Sequence, residues 1–316
     1  MKIVITDHRF PNIDQETRAI NEMGWNLVVG QATTENELVA LCKDADGVLA
    51  GRARINKKVI AEMQRSRIIV RYGIGVETID IAAASARGIM VANVPDYCID
   101  EVSDHALALL LLMSRQIVAA MALAGKQPWS IAKMPPLHRL RGQVCGLFGF
   151  GRIGSLLARK VLPLGMRVVV HDPYLQKNRA ADCGVELCSF DDLLTLSDYI
   201  SLHAPLNSET YHRFGEAAFV KMKPTAAIIN AARGELIDHD ALLAALDSGK
   251  LSGAALDVLD PTAMAASAIK HPKIILTPHS AWLSEEARTT LQASAVAQVI
   301  AGLKGEKPYG LITPAR

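Results

Sequence analysis

The 316-residue chain lacks several features that would have narrowed its class at once. It has no excess of charge: 34 basic against 32 acidic residues leave a formal net charge of +2, which gives no electrostatic case for nucleic acid or a membrane surface as a partner. It has little cysteine. Cys42, Cys98, Cys145, Cys183 and Cys188 are odd in number, scattered and mostly inside apolar runs. That pattern speaks against a disulfide framework or a zinc site, and for a reducing compartment. Long hydrophobic runs are missing too. Ala106 to Met113 and Ile117 to Ala124 are each too short to cross a bilayer, and Ser114-Arg115-Gln116 separates them. No low-complexity tract or internal repeat occurs. Met1-Lys2-Ile3-Val4-Ile5 leads straight into a strand pattern, so no signal peptide is expected and a cytoplasmic location is. Apolar residues are plentiful at 50%, enough for sizeable cores, and the length favours two domains.

Strand and helix patterns alternate from the start. Ile3 to Ile5, Leu27 to Val29, Gly47 to Ala50, Ile68 to Val70 and Ile89 to Val91 read as strands. Helical periodicity covers Asp14 to Met23, Thr34 to Cys42, Lys57 to Met63 and Ile79 to Ala86. Short apolar runs between helices imply a parallel sheet covered on both faces, so the fold class is α/β. Asn93-Val94-Pro95-Asp96-Tyr97 breaks the pattern and marks a domain crossing. Beyond it a single long helix is expected over about 100–124, apolar nearly all round and therefore buried between domains or subunits. Further strands are expected around Val185 to Leu187, Tyr199 to Leu202, Ala226 to Ile229, Gly253 to Leu256 and Ile274 to Leu276. Ser284, followed by Glu285 and Glu286, opens a last helix that runs to about Leu303 and returns to the first domain.

The stretch most informative about function is Val144 to Gly154 with Asp172 behind it. A buried strand ends at Phe148, and Gly149, Phe150, Gly151, Arg152, Ile153 and Gly154 form a glycine turn into a helix. Gly149 permits the tight turn, Gly151 lets the main chain approach a pyrophosphate, and Gly154 allows close helix–strand packing. The helix N-terminus offers N–H groups and partial positive charge to the phosphates. Asp172, at the end of the next strand, falls where a carboxylate accepts ribose hydroxyls and repels a 2′-phosphate, which favours NAD over NADP. The alternative is a glycine-rich turn with no ligand.

Arg71-Tyr72-Gly73-Ile74-Gly75-Val76, Asn93 to Cys98, Gly149 to Gly154 and Ser201-Leu202-His203-Ala204-Pro205-Leu206 recur in a known family. So do Asn230-Ala231-Ala232-Arg233-Gly234, Gly253 to Val258 and Thr277-Pro278-His279-Ser280-Ala281-Trp282. In this order, over nearly the whole chain, they resemble the NAD-dependent D-2-hydroxyacid dehydrogenases, most closely the branch of the C-terminal-binding-protein-like dehydrogenases. The resemblance implies two flavodoxin/Rossmann-like domains with parallel sheets and a cleft between them. A discontinuous substrate domain would comprise residues 1–98 plus 285–316, and an NAD-binding domain residues 99–284. It also implies a homodimer built on the cofactor domains, and a small 2-oxo or 2-hydroxy acid as substrate.

On this resemblance Arg233 clamps the substrate carboxylate, a task its planar, always charged fork suits. His279 gives or takes the proton on the substrate oxygen, and an imidazole titrates in the range that serves both directions. Asp257 meets the nicotinamide carboxamide. Ile74, Val102, His203, Ala204, Pro205, Thr210, Ala231, Ala232 and Ala281 fall at cofactor-binding positions, as do Arg233 and His279 themselves. Gly73 and Ile74 lie in a loop whose N–H groups face the substrate carboxylate. Tyr72 and Trp282 line the same cleft or are core aromatics. His105 packs at the start of the long helix. Arg52 and Arg54 follow the third strand, where they contact a second anionic group on the substrate or remain solvated at the surface. No metal site is implied.

One departure stands out. The family carries a glutamate in a run like DVxExEP, hydrogen-bonded to the catalytic histidine; here the run is Asp257-Val258-Leu259-Asp260-Pro261-Thr262-Ala263. Counted without gaps, Thr262 holds the position; with a two-residue deletion, Asp260 does. Asp260 is the favoured reading. Two functional classes follow: an enzyme moving hydride between NAD(H) and a 2-oxo or 2-hydroxy acid (EC 1.1.1.-), or an NAD(H)-sensing dimeric, corepressor-like binding protein.

Overall fold

The structure, a computed structural model, describes residues 1–124, 131–132, 134–260 and 271–313. The chain divides into two compact units, Met1–Tyr97 with Ser284–Arg316, and Cys98–Leu283.

In the first unit, β1 (Lys2–Ile5), β2 (Asn26–Val29), β3 (Gly47–Ala50), β4 (Ile68–Arg71) and β5 (Met90–Ala92) form a parallel sheet in the order β2-β1-β3-β4-β5. Ile3, Val4, Ile5, Val48, Leu49, Ile69 and Val70 are fully buried, as expected of strands with helices on both faces. Local chemistry sets the helix starts. Thr34 and Glu37 form a reciprocal capping box, Asn56 accepts the N–H groups of Lys58 and Val59, and Ser284 accepts that of Ala287. The helix Glu285–Lys304 returns to pack on β3 and β4.

In the second unit, β6 (Val144–Phe148), β7 (Arg167–His171), β8 (Glu186–Leu187), β9 (Tyr199–Leu202), β10 (Ala227–Asn230), β11 (Gly253–Leu256) and β12 (Ile274–Leu276) form a parallel sheet ordered β12-β11-β10-β9-β6-β7-β8. The chain lays β6, β7 and β8 toward one edge and then reverses, placing β9 on the other side of β6. The carboxyl ends of β6 and β9 are therefore the switch point, where open α/β sheets bind ligands. One face is covered by residues such as Phe214, Phe219 and Leu246, the other by Leu109, Leu157 and Val161.

The single helix expected over 100–124 is two: Ile99–Ser114 and Ile117–Ala124, bent by 58°. Gln116 adopts φ 50°, a left-handed conformation that ends the first helix, and its N–H donates to the carbonyl of Met113. Within the single chain the two halves differ in burial. The first helix buries Val102, Ala106, Leu109, Leu110 and Met113, whereas the second buries no residue and leaves Met121 69% exposed. Among the described residues no single helix is long and apolar enough to cross a membrane.

Candidate active site

The loop after β6 is built around close approach. Gly149 sits at φ 96°, and a Cβ there would lie 2.7 Å from the main-chain nitrogen of Ala204 at the end of β9. A Cβ at Gly154 would lie 2.5 Å from the carbonyl oxygen of Gly149, so a side chain at either position would push β6, its helix and β9 apart. Gly151 differs: no atom lies within 4 Å of where its Cβ would stand. It is the N-cap of the helix Arg152–Val161, and no side chain caps that end. An open space over bare main chain at an uncapped helix N-terminus fits a phosphate group.

Asp172 closes the back of this loop. One carboxylate oxygen accepts the N–H of Phe150 at 2.7 Å and the other that of Tyr174 at 2.9 Å. Two oxygens offer about four acceptor directions, so capacity for ribose hydroxyls remains. His203 pairs with the hydroxyl of Ser201 at 2.8 Å, and burial pushes its imidazole down to about 4. Thr210 folds the following loop back, its hydroxyl donating to the carbonyl of Pro205 at 2.7 Å. Val102, in the helix Ile99–Ser114, is buried.

Arg233 stands just beyond β10. Asn230, fully buried at the end of that strand, donates to the carbonyl of Arg233 at 2.8 Å and accepts the N–H of Ala232 at 3.0 Å. One side-chain amide thus fixes the turn through Ala231 and Ala232. Arg233 Nη1 also reaches the carbonyl of Ala232 at 2.7 Å. Sequence reading passed over Asn230 as a site residue, although a polar side chain ending the apolar run Ala226 to Ile229 was a usable signal.

His279 stands beyond β12 and is itself in the left-handed region at φ 55°. That conformation costs a non-glycine residue roughly 1–2 kcal/mol. Asp257, at the end of β11 and 2% exposed, offsets the cost. Its carboxylate accepts the hydroxyl of Thr277 at 2.6 Å, the N–H of Ser280 at 2.9 Å and the N–H of Ala281 at 3.0 Å. Its main-chain carbonyl accepts the N–H of His279 at 3.0 Å. Hydrogen bonds to a charged group contribute about 1.5–3 kcal/mol each, so the clamp outweighs the strain. Asp257, read as a cofactor contact, is therefore also the anchor of the loop bearing His279. Thr277 and His105, whose Nε2 lies 3.0 Å from the Thr277 hydroxyl, join it.

Asp260 is 4% exposed and lies in a histidine environment: Nε2 of His212 is 3.6 Å from its carboxylate. Burial pulls the pKa of His239 down, and the neighbouring Asp260 charge opposes the shift. Neither histidine stood out in the sequence, where they lie 48 and 21 positions from Asp260. Thr262 lies outside the described residues.

In the first unit, the hydroxyl of Tyr72 donates to the buried carboxylate of Glu16 at 2.9 Å, and the ring is 6% exposed. Gln292 completes that cluster at 3.0 Å from Glu16. Gly73, at φ 137°, directs its N–H to the carbonyl of Arg71 at 2.9 Å, while Asn93 holds the carbonyl of Ile74 at 2.6 Å. Arg52 is exposed, and its main-chain N–H donates to Asp7 at 2.6 Å. Trp282 is half-buried in the second unit. Among the described residues no group of three or more His, Cys, Asp or Glu side chains is placed to hold a metal ion.

The sequence model of the D-isomer-specific 2-hydroxyacid dehydrogenase NAD-binding domain matches residues 107–281. The chain is 36% identical to a glyoxylate reductase of Thermococcus litoralis over 266 residues, 82% of this chain and 80% of that protein. It is 37% identical to the D-3-phosphoglycerate dehydrogenase of Mycobacterium tuberculosis over 273 residues, 86% of this chain and 52% of that one, and so spans about half the length of that relative. The D-lactate dehydrogenase of Aquifex aeolicus, solved with NAD and lactic acid, superposes with a TM-score of 0.90 at 25% identity, over 99% of this chain and all of that one. With NAD as the cofactor of the matched domain, the chain belongs to the D-isomer-specific 2-hydroxyacid dehydrogenase family.

Proposed function

We propose that this protein is an NAD-dependent oxidoreductase acting on a small 2-oxo/2-hydroxy acid. The observation that carries the proposal is the Asp257 clamp. It fixes the His279 loop at the carboxyl ends of β11 and β12, beside the Arg233 turn that Asn230 braces on β10. The glycine loop, Asp172 and the 203–210 segment hold NAD(H), which when bound supplies or accepts the hydride. Arg233 binds the substrate carboxylate as a two-pronged donor. His279 gives a proton to the carbonyl oxygen in reduction and removes the hydroxyl proton in oxidation. Asp260 stands in for the family's glutamate and favours the protonated imidazole.

Two refinements have support. Burial, and after it the neighbouring Arg9 charge, disfavours the charged form of Arg52, and such a pair of arginines suits a substrate with a second anionic group. The exposed apolar helix Ile117–Ala124 suits a homodimer through the cofactor domains. Following NADH absorbance against a panel of 2-oxo acids tests the activity. Turnover of at least one acid is expected; tight NADH binding with no turnover on any would favour the corepressor-like reading instead.

A further inference from the structure

We propose that His105 is a positioning residue for His279, acting through Thr277 and the buried carboxylate of Asp257. The proposal rests on the dehydrogenase reading above and extends it to a residue on the helix Ile99–Ser114, which carries the cofactor-position residue Val102 but none of the proposed catalytic residues.

Donor and acceptor bookkeeping gives the chain a direction. Asp257 is an acceptor only, so the 2.6 Å contact with Thr277 uses the one hydroxyl proton that Thr277 has. At 3.0 Å from the same hydroxyl oxygen, Nε2 of His105 must then be the donor. The sequence of bonds is His105 Nε2–H to Thr277 Oγ1–H to Asp257 Oδ1. The neutral ring is thereby fixed as the Nε2–H tautomer. Protonating Nδ1 leaves the chain intact, because Nε2 carries a proton in both states. The same Nε2 lies 3.6 Å from the Asp257 carboxylate itself, so attraction to that buried charge reinforces the contact.

The consequence falls on His279 through its own backbone. Its N–H is shared between the carbonyls of Asp257 at 3.0 Å and Thr277 at 2.9 Å, the two residues that His105 ties together. Ser280 and Ala281, the next two residues, bond the same carboxylate. A left-handed residue between two anchored neighbours has little freedom to rotate, so the imidazole is aimed by the loop and the loop is aimed from the helix. Without the Thr277 hydroxyl, one oxygen of a buried carboxylate loses its closest donor. Without His105, the hydroxyl loses the group that orients it.

The experiment uses the full chain labelled with 15N-histidine, long-range 1H–15N spectra at pH 8.5, and NADH-dependent turnover of a 2-oxo acid. His105→Phe and His279→Gln assign the two rings. We expect His105 as the Nε2–H tautomer in the wild type and in Thr277→Ser, and a tautomer mixture in Thr277→Val. Shifted His279 ring resonances are expected in both Thr277→Val and His105→Phe. Each of these two variants should lower reductive kcat by about tenfold while NADH Kd stays within about twofold, the scale of a misaimed catalytic group. Thr277→Ser should recover the rate, and the double variant should be no worse than either single one. An Nδ1–H tautomer at His105, His279 resonances that do not move, or additive losses in the double variant would overturn the proposal. A wild type that reduces no 2-oxo acid yet shows the tautomer and the His279 shifts would uphold the positioning and remove the dehydrogenase reading.

Discussion

The two parallel sheets of this protein reverse direction in the same way, yet what stands at the two switch points differs. In the first sheet the reversal lies between β1 and β3. There Asp7 lays its carboxylate against the N–H groups of Arg52 at 2.6 Å and Ala53 at 3.1 Å, and the hydroxyl of Thr6 donates to it at 2.7 Å. An anion belonging to the chain already occupies the donors. In the second sheet the reversal lies between β6 and β9, and the main chain at Gly151 faces open space at an uncapped helix end. Topology supplies a crevice in both units; side chains decide whether the crevice is filled from within or left for a ligand. By this contrast the second unit, which contains the matched NAD-binding domain, leaves its crevice for a ligand, while the first fills its own from within.

Five perturbations would break or sharpen that contrast. The largest effect belongs to His279→Gln, which should lower reductive kcat/KM by roughly 10²–10⁴-fold while NADH binding persists. Asp260→Asn belongs to the same test. Reduction needs protonated His279, so if Asp260 is the carboxylate that favours this form, the variant should lose rate at lower pH than the wild type. An unshifted pH limb would assign Asp260 to His212 and His239 alone. Next is Gly149→Ala. Strain at φ 96° and a 2.7 Å clash with Ala204 should weaken NADH binding by about thirtyfold, equivalent to about 2 kcal/mol, as read by fluorescence titration. Arg52→Ala should raise KM about tenfold for a dianionic substrate and less than twofold for a pyruvate-like acid. Equal effects on both would return Arg52 to the solvated surface.

The smallest effect is on acid stability. The folded pKa of His203 is about 4, below the ordinary 6.5, so as pH falls the unfolded chain takes the proton first. Stability is therefore lost as pH drops from about 6.5 to about 4 and is level below that. The amount is on the order of 1 kcal/mol once the residue's partial exposure is discounted. His203→Asn should flatten this stretch of a urea-midpoint-against-pH curve.

Much of the fold could be read directly from the residues because its determinants are local. Ile3-Val4-Ile5 and Val168-Val169-Val170 are continuous apolar runs because strands covered on both faces must be, and Thr34, Asn56 and Ser284 announce helix starts through their own side chains. The bend after Ser114 could not be read the same way. Apolar periodicity continues on both sides, and only the backbone of Gln116 records the turn. In the site, Gly149, Asp172, Arg233 and His279 were visible as motif residues. Long-range pairings were not, because they span a large sequence distance: Asp257 with the 277–281 loop, Asp260 with His212, Tyr72 with Glu16. A motif names the group that acts; only the fold shows what aims it.

The central claim is that hydride passes between NAD(H) and the C2 carbon of a 2-oxo acid at Arg233 and His279. The most direct measurement incubates the protein with NADH deuterated at the nicotinamide C4, on the transferring face, and a mixture of 2-oxo acids, then analyses the products by mass spectrometry. The account predicts a 2-hydroxy acid carrying one deuterium at C2, formed by the wild type and lost in His279→Gln and Arg233→Ala. Saturable NADH binding with no deuterium in any product would contradict it.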